Sequence, residues 1–351
     1  MKLFLRRNFV LGAVIILVSL LSAAISALIV GSSIDRYSDS LERLGVDVAA
    51  VNSVKPPVVP GTIQEALTQV RERAAQSSLA IVNIVDPVHR DGIVASRIVG
   101  TATALTTDGW VMLPDSVVKL YGKNTRIVFD SVAYQVDTLV EDPATEYSFA
   151  KTKIASARVG TFGSSDTVAS GDLVFVVSGD AIYPRTIISE MHYEDETNTL
   201  SSDVLSRLFS IDQDVSVSPG AMVTNAAGEL IGVMADTQTI RPLTHITSAL
   251  EDVLQNEEIH RTKLGVLYRD IVRIVDEDEN FREGLRIVSV DRQSPADKAG
   301  IKVDDVILRV QGLPVDTKPL SEYVVLGKVG ERIQLQVQRG ETEIEIFVTL
   351  E

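Results

Sequence analysis

Residues 284–315 read GLRIVSVDRQSPADKAGIKVDDVILRVQGLPV, and they belong to a C-terminal unit that begins after His260. This unit spans about 90 residues, which is enough for one small domain of its own. Its last two β-rich runs are separated only by residues 339–342 (RGET), a pattern typical of a tight hairpin turn. The runs predicted as strands are 272–275, 285–290, 306–310, 332–339 and 343–350.

The same stretch resembles the PDZ domain of the HtrA (Deg) protease family. The resemblance is carried by SPADKAGIKVDDVILRVQG at 294–312, which follows a family-specific pattern. It implies that the family's apolar-Gly-apolar loop, which receives a peptide C-terminus, lies at 263–266. A glycine-containing loop can turn backbone N–H groups toward a carboxylate, and the strand edge that follows can pair with an added peptide strand.

The candidate peptide-binding residues lie in this loop, at the start of the next strand and on one predicted helix. Leu320 and Val324 are spaced i, i+4 on one helix face, where they would line a pocket for the terminal side chain. A plain apolar core stripe is the alternative interpretation of this pair. The six candidates are Leu264, Gly265, Val266, Leu267, Leu320 and Val324.

From residue 79 to about 250, short β-rich runs alternate with Gly, Asp and Ser turns. Many short strands without intervening helices predict antiparallel barrels or sandwiches. The region resembles the trypsin-like protease domain of the same family, which implies two β-barrels over 62–257 and a PDZ domain over 258–351. The fold class is therefore mainly β. An N-terminal transmembrane helix is predicted in addition, from the apolar run at residues 9–30. The predicted barrel strands are LAIVNIV, RIVGTATALT, WVML, TRIVFD, YQVDTLV, LVFVVSG, RTIIS and LIGVMA.

The resemblance also locates the family's catalytic triad, and all three positions are replaced. Ser116 stands where the family has its catalytic His, and Glu146 stands where it has Asp. After Pro219 and Gly220 the chain continues with Ala221, where the family reads Asn-Ser-Gly-Gly-Pro, and the loop is about three residues shorter. A serine mechanism needs a base, an orienting acid and two oxyanion N–H donors. A hydroxyl cannot act as that base at neutral pH, so no catalytic residue is assigned.

Composition excludes several classes of function. The chain of 351 residues has 33 Lys plus Arg against 48 Asp plus Glu, a net charge of −15 that argues against a nucleic-acid partner. With no Cys, disulfides, thiolate catalysis and Cys-ligated zinc are excluded. The four consecutive acids at 276–279 lack calcium-loop spacing and are interpreted as a solvated loop. We expect no metal and no cofactor.

The N-terminus carries an uncharged run, FVLGAVIILVSLLSAAISALIV, at residues 9–30. Its 22 positions are long enough to span a bilayer, and Lys2, Arg6 and Arg7 before it predict a cytoplasmic N-terminus with the bulk of the chain extracytoplasmic. The prediction is a single-pass anchor over 1–31, and a cleaved signal peptide is the alternative.

A linker over 32–61 follows this run, stiffened by prolines near its end. Thr62 and Glu65 then form a capping-box pattern that opens a helix over 62–76. The resemblance implies that family trimers assemble through the segment that precedes the first barrel, here residues 62–78.

Three functions are compatible with these features. The favoured one is a non-catalytic HtrA-like pseudoprotease that binds peptides, protein C-termini or unfolded proteins as an extracytoplasmic adaptor. The alternative is an active serine-type endopeptidase of envelope protein quality control that uses unrecognised catalytic residues. The third is a structural subunit, either in a homotrimer or in a hetero-oligomer with active HtrA relatives.

Overall fold

The computed structural model describes residues 61–83, 97–192, 199–273 and 282–351. The predicted membrane anchor at 9–30, the linker before Gly61 and the acidic run at 276–279 lie outside the described residues. Within the described ranges, no helix combines the length and the apolar composition that crossing a membrane requires.

Helix α1 spans Ile63–Arg73 and confirms the capping-box prediction. The Thr62 hydroxyl accepts a hydrogen bond from the Glu65 backbone N–H at 3.2 Å, and the Glu65 carboxylate accepts one from the Gly61 N–H at 2.9 Å. Satisfying these N–H groups fixes where the helix begins. The buried face of α1 packs into the apolar layer between the two barrels.

The first barrel is closed by six strands in the order β1-β2-β3-β6-β5-β4. Helix α2, Asp115–Tyr121, follows β3. The strands are β1 (Ser78–Asn83), β2 (Ile98–Ala104), β3 (Trp110–Pro114), β4 (Thr125–Phe129), β5 (Val132–Asp142) and β6 (Tyr147–Thr152).

The second barrel is also closed by six strands, in the order β10-β13-β12-β11-β7-β8. Two short helices follow it, α3 (Leu243–Thr247) and α4 (Leu250–Asn256). Two closed barrels confirm the predicted architecture. The strands are β7 (Leu173–Ser178), β8 (Ala181–His192), β10 (Arg207–Ile211), β11 (Met222–Thr224), β12 (Leu230–Met234) and β13 (Thr239–Pro242).

Some barrel strands, such as β3, are apolar at nearly every position because the side chains on both of their faces are buried. In β3, Val111 and Leu113 point into the first barrel, whereas Trp110 and Met112 point into the layer between the barrels. Successive side chains of a strand alternate between faces, so a strand with an apolar core on each side reads as an unbroken apolar run. The inter-barrel layer therefore fixes how the two barrels meet.

The PDZ domain is built on a sheet with the strand order β19-β18-β16-β15-β14-β9, and β17 pairs with β16. The predicted hairpin is confirmed, because Arg339 pairs with Thr342. The strand predicted at 272–275 instead begins at Val266, where pairing with Val290 starts. The domain's elements are β14 (Val266–Arg273), β15 (Arg282–Val290), α5 (Pro295–Ala299), β16 (Val306–Val310), β17 (Leu313–Pro314), α6 (Leu320–Val325), β18 (Arg332–Arg339) and β19 (Thr342–Thr349).

One strand of the PDZ sheet comes from the second barrel. The connection between β8 and β10 contains β9, Leu200–Ser201, which pairs antiparallel with β14. Ser201 faces Leu267 and Leu200 faces Tyr268. The edge of the PDZ sheet is therefore covered by a segment of the same chain.

Candidate functional site

Two of the predicted triad positions meet where β3 ends and β6 begins. These strands pair with Pro114 opposite Tyr147, and the Asp115 N–H donates to the Glu146 carbonyl at 3.0 Å. The pairing brings Ser116, the first residue after Asp115, next to Glu146. The topology thus places the predicted His and Asp positions together.

The third predicted triad position reaches the same place from the second barrel. The Pro219 carbonyl accepts a hydrogen bond from the Thr101 N–H at 2.8 Å. Gly220 has φ +85°, and a Cβ there would lie 2.2 Å from the Thr101 carbonyl oxygen and 2.8 Å from the Pro114 ring. Only glycine fits this turn. We call residues 114–116, Glu146 and 219–221 the inter-barrel corner.

None of the residues that form the inter-barrel corner is a histidine, and Ser116 is the one serine among them. Ala221, which follows the glycine, is fully buried and carries no hydroxyl. The Glu146 side chain is 81% exposed and turns toward Arg241, whose Nη2 lies 3.6 Å from Glu146 Oε2. Ser148 donates its hydroxyl to Asp115, but both side chains are buried and closed to a substrate.

No imidazole serves this corner among the histidines whose side chains the structure describes. His245 is fully buried and bonded to Glu322 of the PDZ domain. His260 is exposed beside Glu258, with Nε2 3.8 Å from the carboxylate. Ser116 is itself exposed, and its predicted neighbour Glu146 turns its carboxylate toward Arg241. Without an imidazole to accept its proton, the hydroxyl of a serine is a poor nucleophile at neutral pH.

The predicted carboxylate-binding loop is closely packed around Gly265. Gly265 has φ +78°, and a Cβ there would lie 2.4 Å from the Ser294 Cβ, so a larger residue does not fit. The Leu264 carbonyl accepts from the Ala296 N–H at 3.0 Å, and the Gly265 carbonyl accepts from the Asp291 N–H at 2.9 Å. Because the carbonyls are bound on this side, the loop's N–H groups face the groove.

These N–H groups already hold a carboxylate. Asp203 Oδ1 accepts hydrogen bonds from the Leu264 N–H at 2.8 Å and from the Gly265 N–H at 3.1 Å. Asp203 follows β9 and was not singled out from the sequence. The loop is thus a carboxylate receptor whose occupant belongs to the same chain.

The remaining candidate residues differ in exposure. Leu264, Val266, Leu320 and Val324 are buried members of the PDZ core. Leu267 at the start of β14 is 39% exposed. The buried Leu200 of β9 belongs to the same core, so this segment packs its side chain inside the PDZ domain.

A buried ionic cluster, which sequence reasoning missed, joins the PDZ helix α6 to the second barrel. Glu322 Oε1 lies 2.6 Å from Arg207 Nε and 2.6 Å from His245 Nε2. Burial lowers the pKa of His245, although its hydrogen bond to Glu322 acts in the opposite direction. Burial alone would raise the pKa of Glu322, but the hydrogen bond from His245 and the charge of Arg207 lower it. At neutral pH a neutral imidazole and Arg207 therefore hold an ionised carboxylate.

Comparison with known proteins agrees with this geometry. A family model described as "PDZ domain" matches residues 263–350. "Probable periplasmic serine endoprotease DegP-like" of Chlamydia pneumoniae is 24% identical over 270 residues, which is 72% of this chain and 54% of the relative. The protein of that description from Ectopseudomonas mendocina is 22% identical over 333 residues, 86% of this chain and 69% of the relative.

The fold is shared with solved structures. "HtrA-type protease AlgW with decapeptide" superposes with a TM-score of 0.58 at 17% identity, covering 81% of this chain and 98% of that chain. The chain is similar in sequence to proteins named as DegP-like endoproteases and shares the fold of HtrA-type proteases. It has two closed six-stranded barrels followed by a PDZ domain. It spans about half the length of the Chlamydia relatives.

Proposed function

We propose that this HtrA-like chain has no proteolytic activity and binds peptides and protein C-termini through its PDZ domain. One contrast carries the proposal. The inter-barrel corner brings together Ser116, Glu146 and Gly220 without a histidine and with Ala221 directly after the glycine, whereas the loop at Leu264 and Gly265 keeps both N–H groups directed at a carboxylate. Loss of the triad leaves little hydrolytic rate, while peptide binding needs only the loop and a strand edge.

The PDZ loop supports recognition of a free C-terminus. Two backbone N–H groups on a loop fixed by Gly265 form an anion receptor that requires no charged side chain. The peptide-bound structures of the relative AlgW, with a decapeptide and with a tripeptide, support the same use of this fold. PDZ-sized contacts correspond to dissociation constants on the order of micromolar, about −8 kcal/mol.

An active serine endopeptidase is the second candidate, favoured by the names of the relatives. It would need a nucleophile away from the inter-barrel corner, in an arrangement that the family motif does not specify. A subunit that assembles with itself or with active relatives is the third candidate, and Ile63, 53% exposed at the start of α1, offers an apolar contact for assembly.

For location, we propose a single-pass membrane anchor at residues 9–30 with the folded part outside the cytoplasm. The charge asymmetry around the apolar run supports this orientation. The relatives named as periplasmic support the same compartment.

Titration calorimetry on the full-length chain tests the binding function. A panel of peptides with free C-termini is compared with the same peptides carrying C-terminal amides. Amidation removes the negative charge that the Leu264 and Gly265 N–H groups receive, so we expect affinity to fall at least about tenfold. Equal affinity for free and amidated peptides would contradict the proposal.

A further inference from the structure

Residues 199–203, here called the internal strand, follow the path expected of a PDZ ligand. Leu200 pairs with Tyr268 and Ser201 with Leu267, and the segment then runs toward the carboxylate-binding loop. A peptide added to this edge with its C-terminus at the loop would run in the same antiparallel direction. The internal strand therefore occupies the groove in the orientation of a ligand.

Its hydrogen bonds also match those of a ligand C-terminus. The Ser202 N–H donates to the Val266 carbonyl at 3.0 Å, and the Val266 N–H donates to the Ser202 hydroxyl at 3.1 Å. The Asp203 carboxylate then accepts hydrogen bonds from the backbone N–H groups of Leu264 and Gly265. A side-chain carboxylate thus stands where a terminal carboxylate would bind.

The side chains of the internal strand alternate as strand geometry requires. Leu200 and Ser202 are buried against the PDZ domain, and Ser201 between them is partly exposed. Leu200 belongs to the PDZ core, and the Ser202 side chain is completely buried. In this chain the groove therefore holds an apolar residue placed two positions before a small one.

We propose that the internal strand is a built-in ligand of the PDZ groove, which external ligands displace. The ligand class follows from its pattern: protein C-termini with an apolar residue two positions before a small terminal residue. This inference rests on the proposed peptide-binding function and adds the identity of the competitor and the pattern of the ligand.

The way in which the internal strand is attached allows external peptides to displace it from the PDZ groove. Its β pairing covers only two residues, and the next residue, Val204, is 50% exposed. Arg207, buried between Glu322 and Asp166, ties the segment to the PDZ domain close to the groove. A tethered competitor acts at a high effective concentration and lowers the apparent affinity of external peptides without abolishing it.

The test measures binding of a labelled hexapeptide, TNTLSS (residues 197–202) with a free carboxylate, to the full-length chain and two variants. Asp203→Ala removes the acceptor from the loop, and we expect it to bind the peptide at least about tenfold more tightly than the unmodified chain. Val204→Ala changes the exposed neighbour and should bind as the unmodified chain does. The amidated hexapeptide should bind weakly to all three.

Each outcome separates this inference from the proposed function. If Asp203→Ala and the unmodified chain bind the hexapeptide equally, or if only unrelated free-carboxylate peptides bind Asp203→Ala, the internal strand is no ligand mimic and the binding function stands. If no free-carboxylate peptide binds a folded Asp203→Ala variant, both fail. Should Asp203→Ala lose its cooperative unfolding transition, Asp203→Asn, which keeps the side-chain volume and removes the charge, replaces it with the same expected order.

Discussion

His245 Nε2 lies 2.6 Å from Glu322 Oε1, and the two side chains join helix α3 after the second barrel to helix α6 of the PDZ domain. Both are almost completely buried, and Arg207 from β10 shares the same carboxylate oxygen at 2.6 Å. A buried carboxylate is tolerated only when its charge is compensated, so these contacts constrain how the PDZ domain sits on the barrel. The cluster also holds the start of β10, which leads directly from the internal strand.

Removing the charge of Glu322 should destabilise this interface. Glu322→Gln removes the buried carboxylate beside Arg207 and leaves this guanidinium to the largely exposed Asp166 and the charge of Glu190. Breaking one side of a buried ion pair costs on the order of 3 kcal/mol, so the free energy of unfolding in urea should fall by about that amount. Glu251→Gln is the control, since its pair with Lys328 is exposed and should contribute less than about 1 kcal/mol. Equal effects of the two substitutions would contradict the assignment.

The same cluster predicts that acid destabilises the fold. The pKa of His245 lies below the ordinary 6.5 in the folded chain, so below pH 6.5 the unfolded chain takes up the proton first. The free energy of unfolding should therefore fall as pH drops through this range. The pKa of Glu322 lies below the ordinary 4.5, so stability present above that pH is lost as the pH falls further.

Urea unfolding between about pH 7.5 and 5.5 isolates the histidine contribution. His245→Gln, which can still donate to Glu322 but does not titrate, should flatten the decline. His260→Gln at the exposed histidine should leave it unchanged. An unaltered decline in His245→Gln would assign the effect to other groups.

Gly265 is predicted to be essential for the carboxylate-binding loop. Gly265→Ala adds a Cβ at φ +78° that would lie 2.4 Å from the Ser294 Cβ. Gly312 has the same φ, +78°, but nothing within 4 Å of its would-be Cβ, so Gly312→Ala isolates the backbone cost of about 1–2 kcal/mol. We expect Gly265→Ala to lower the urea-unfolding free energy further and to weaken peptide binding in calorimetry. If the two variants behave alike, the close packing of the loop is not required.

Restoring two triad members should not restore proteolysis. Ser116→His with Glu146→Asp rebuilds the base and its orienting acid at the inter-barrel corner, but Ala221 follows Gly220 and supplies no nucleophile. Casein hydrolysis by the double variant should equal the background without protein. A rate above background would reveal a nucleophile close enough to the new imidazole to use it.

The barrels and the PDZ domain could be predicted because their strands are apolar on two faces and separated by turn residues. The runs around Trp110 and Leu230 lie between two cores, so their pattern is strong. β6, β10, β11 and β13 were not predicted as strands. Two of them, β11 and β13, have only three and four residues. Strands this short form because they pair with neighbouring strands of the closed barrel, and their own residues give only a weak pattern.

The groove occupant and the ionic cluster could not be predicted for a different reason. Asp203 binds backbone N–H groups about 60 residues away in the sequence. Because nearly every residue carries a backbone N–H, the residue types at 264 and 265 do not show that these groups bind a carboxylate. Glu322 and His245 are 77 positions apart and meet only because the PDZ domain docks on the second barrel. The loop at Leu264 and Gly265 could be located because its glycine requirement and the adjoining family motif are local.

The absence of proteolytic activity is tested most directly by reacting the full-length chain with a fluorophosphonate serine probe. Casein hydrolysis is measured on the same samples. The inter-barrel corner contains no histidine that could activate a serine, so we predict no covalent labelling and no cleavage above background. An active HtrA protease under the same conditions is the positive control. Labelling that disappears when a single serine is replaced, together with loss of casein cleavage, would contradict the account and establish the chain as an endopeptidase.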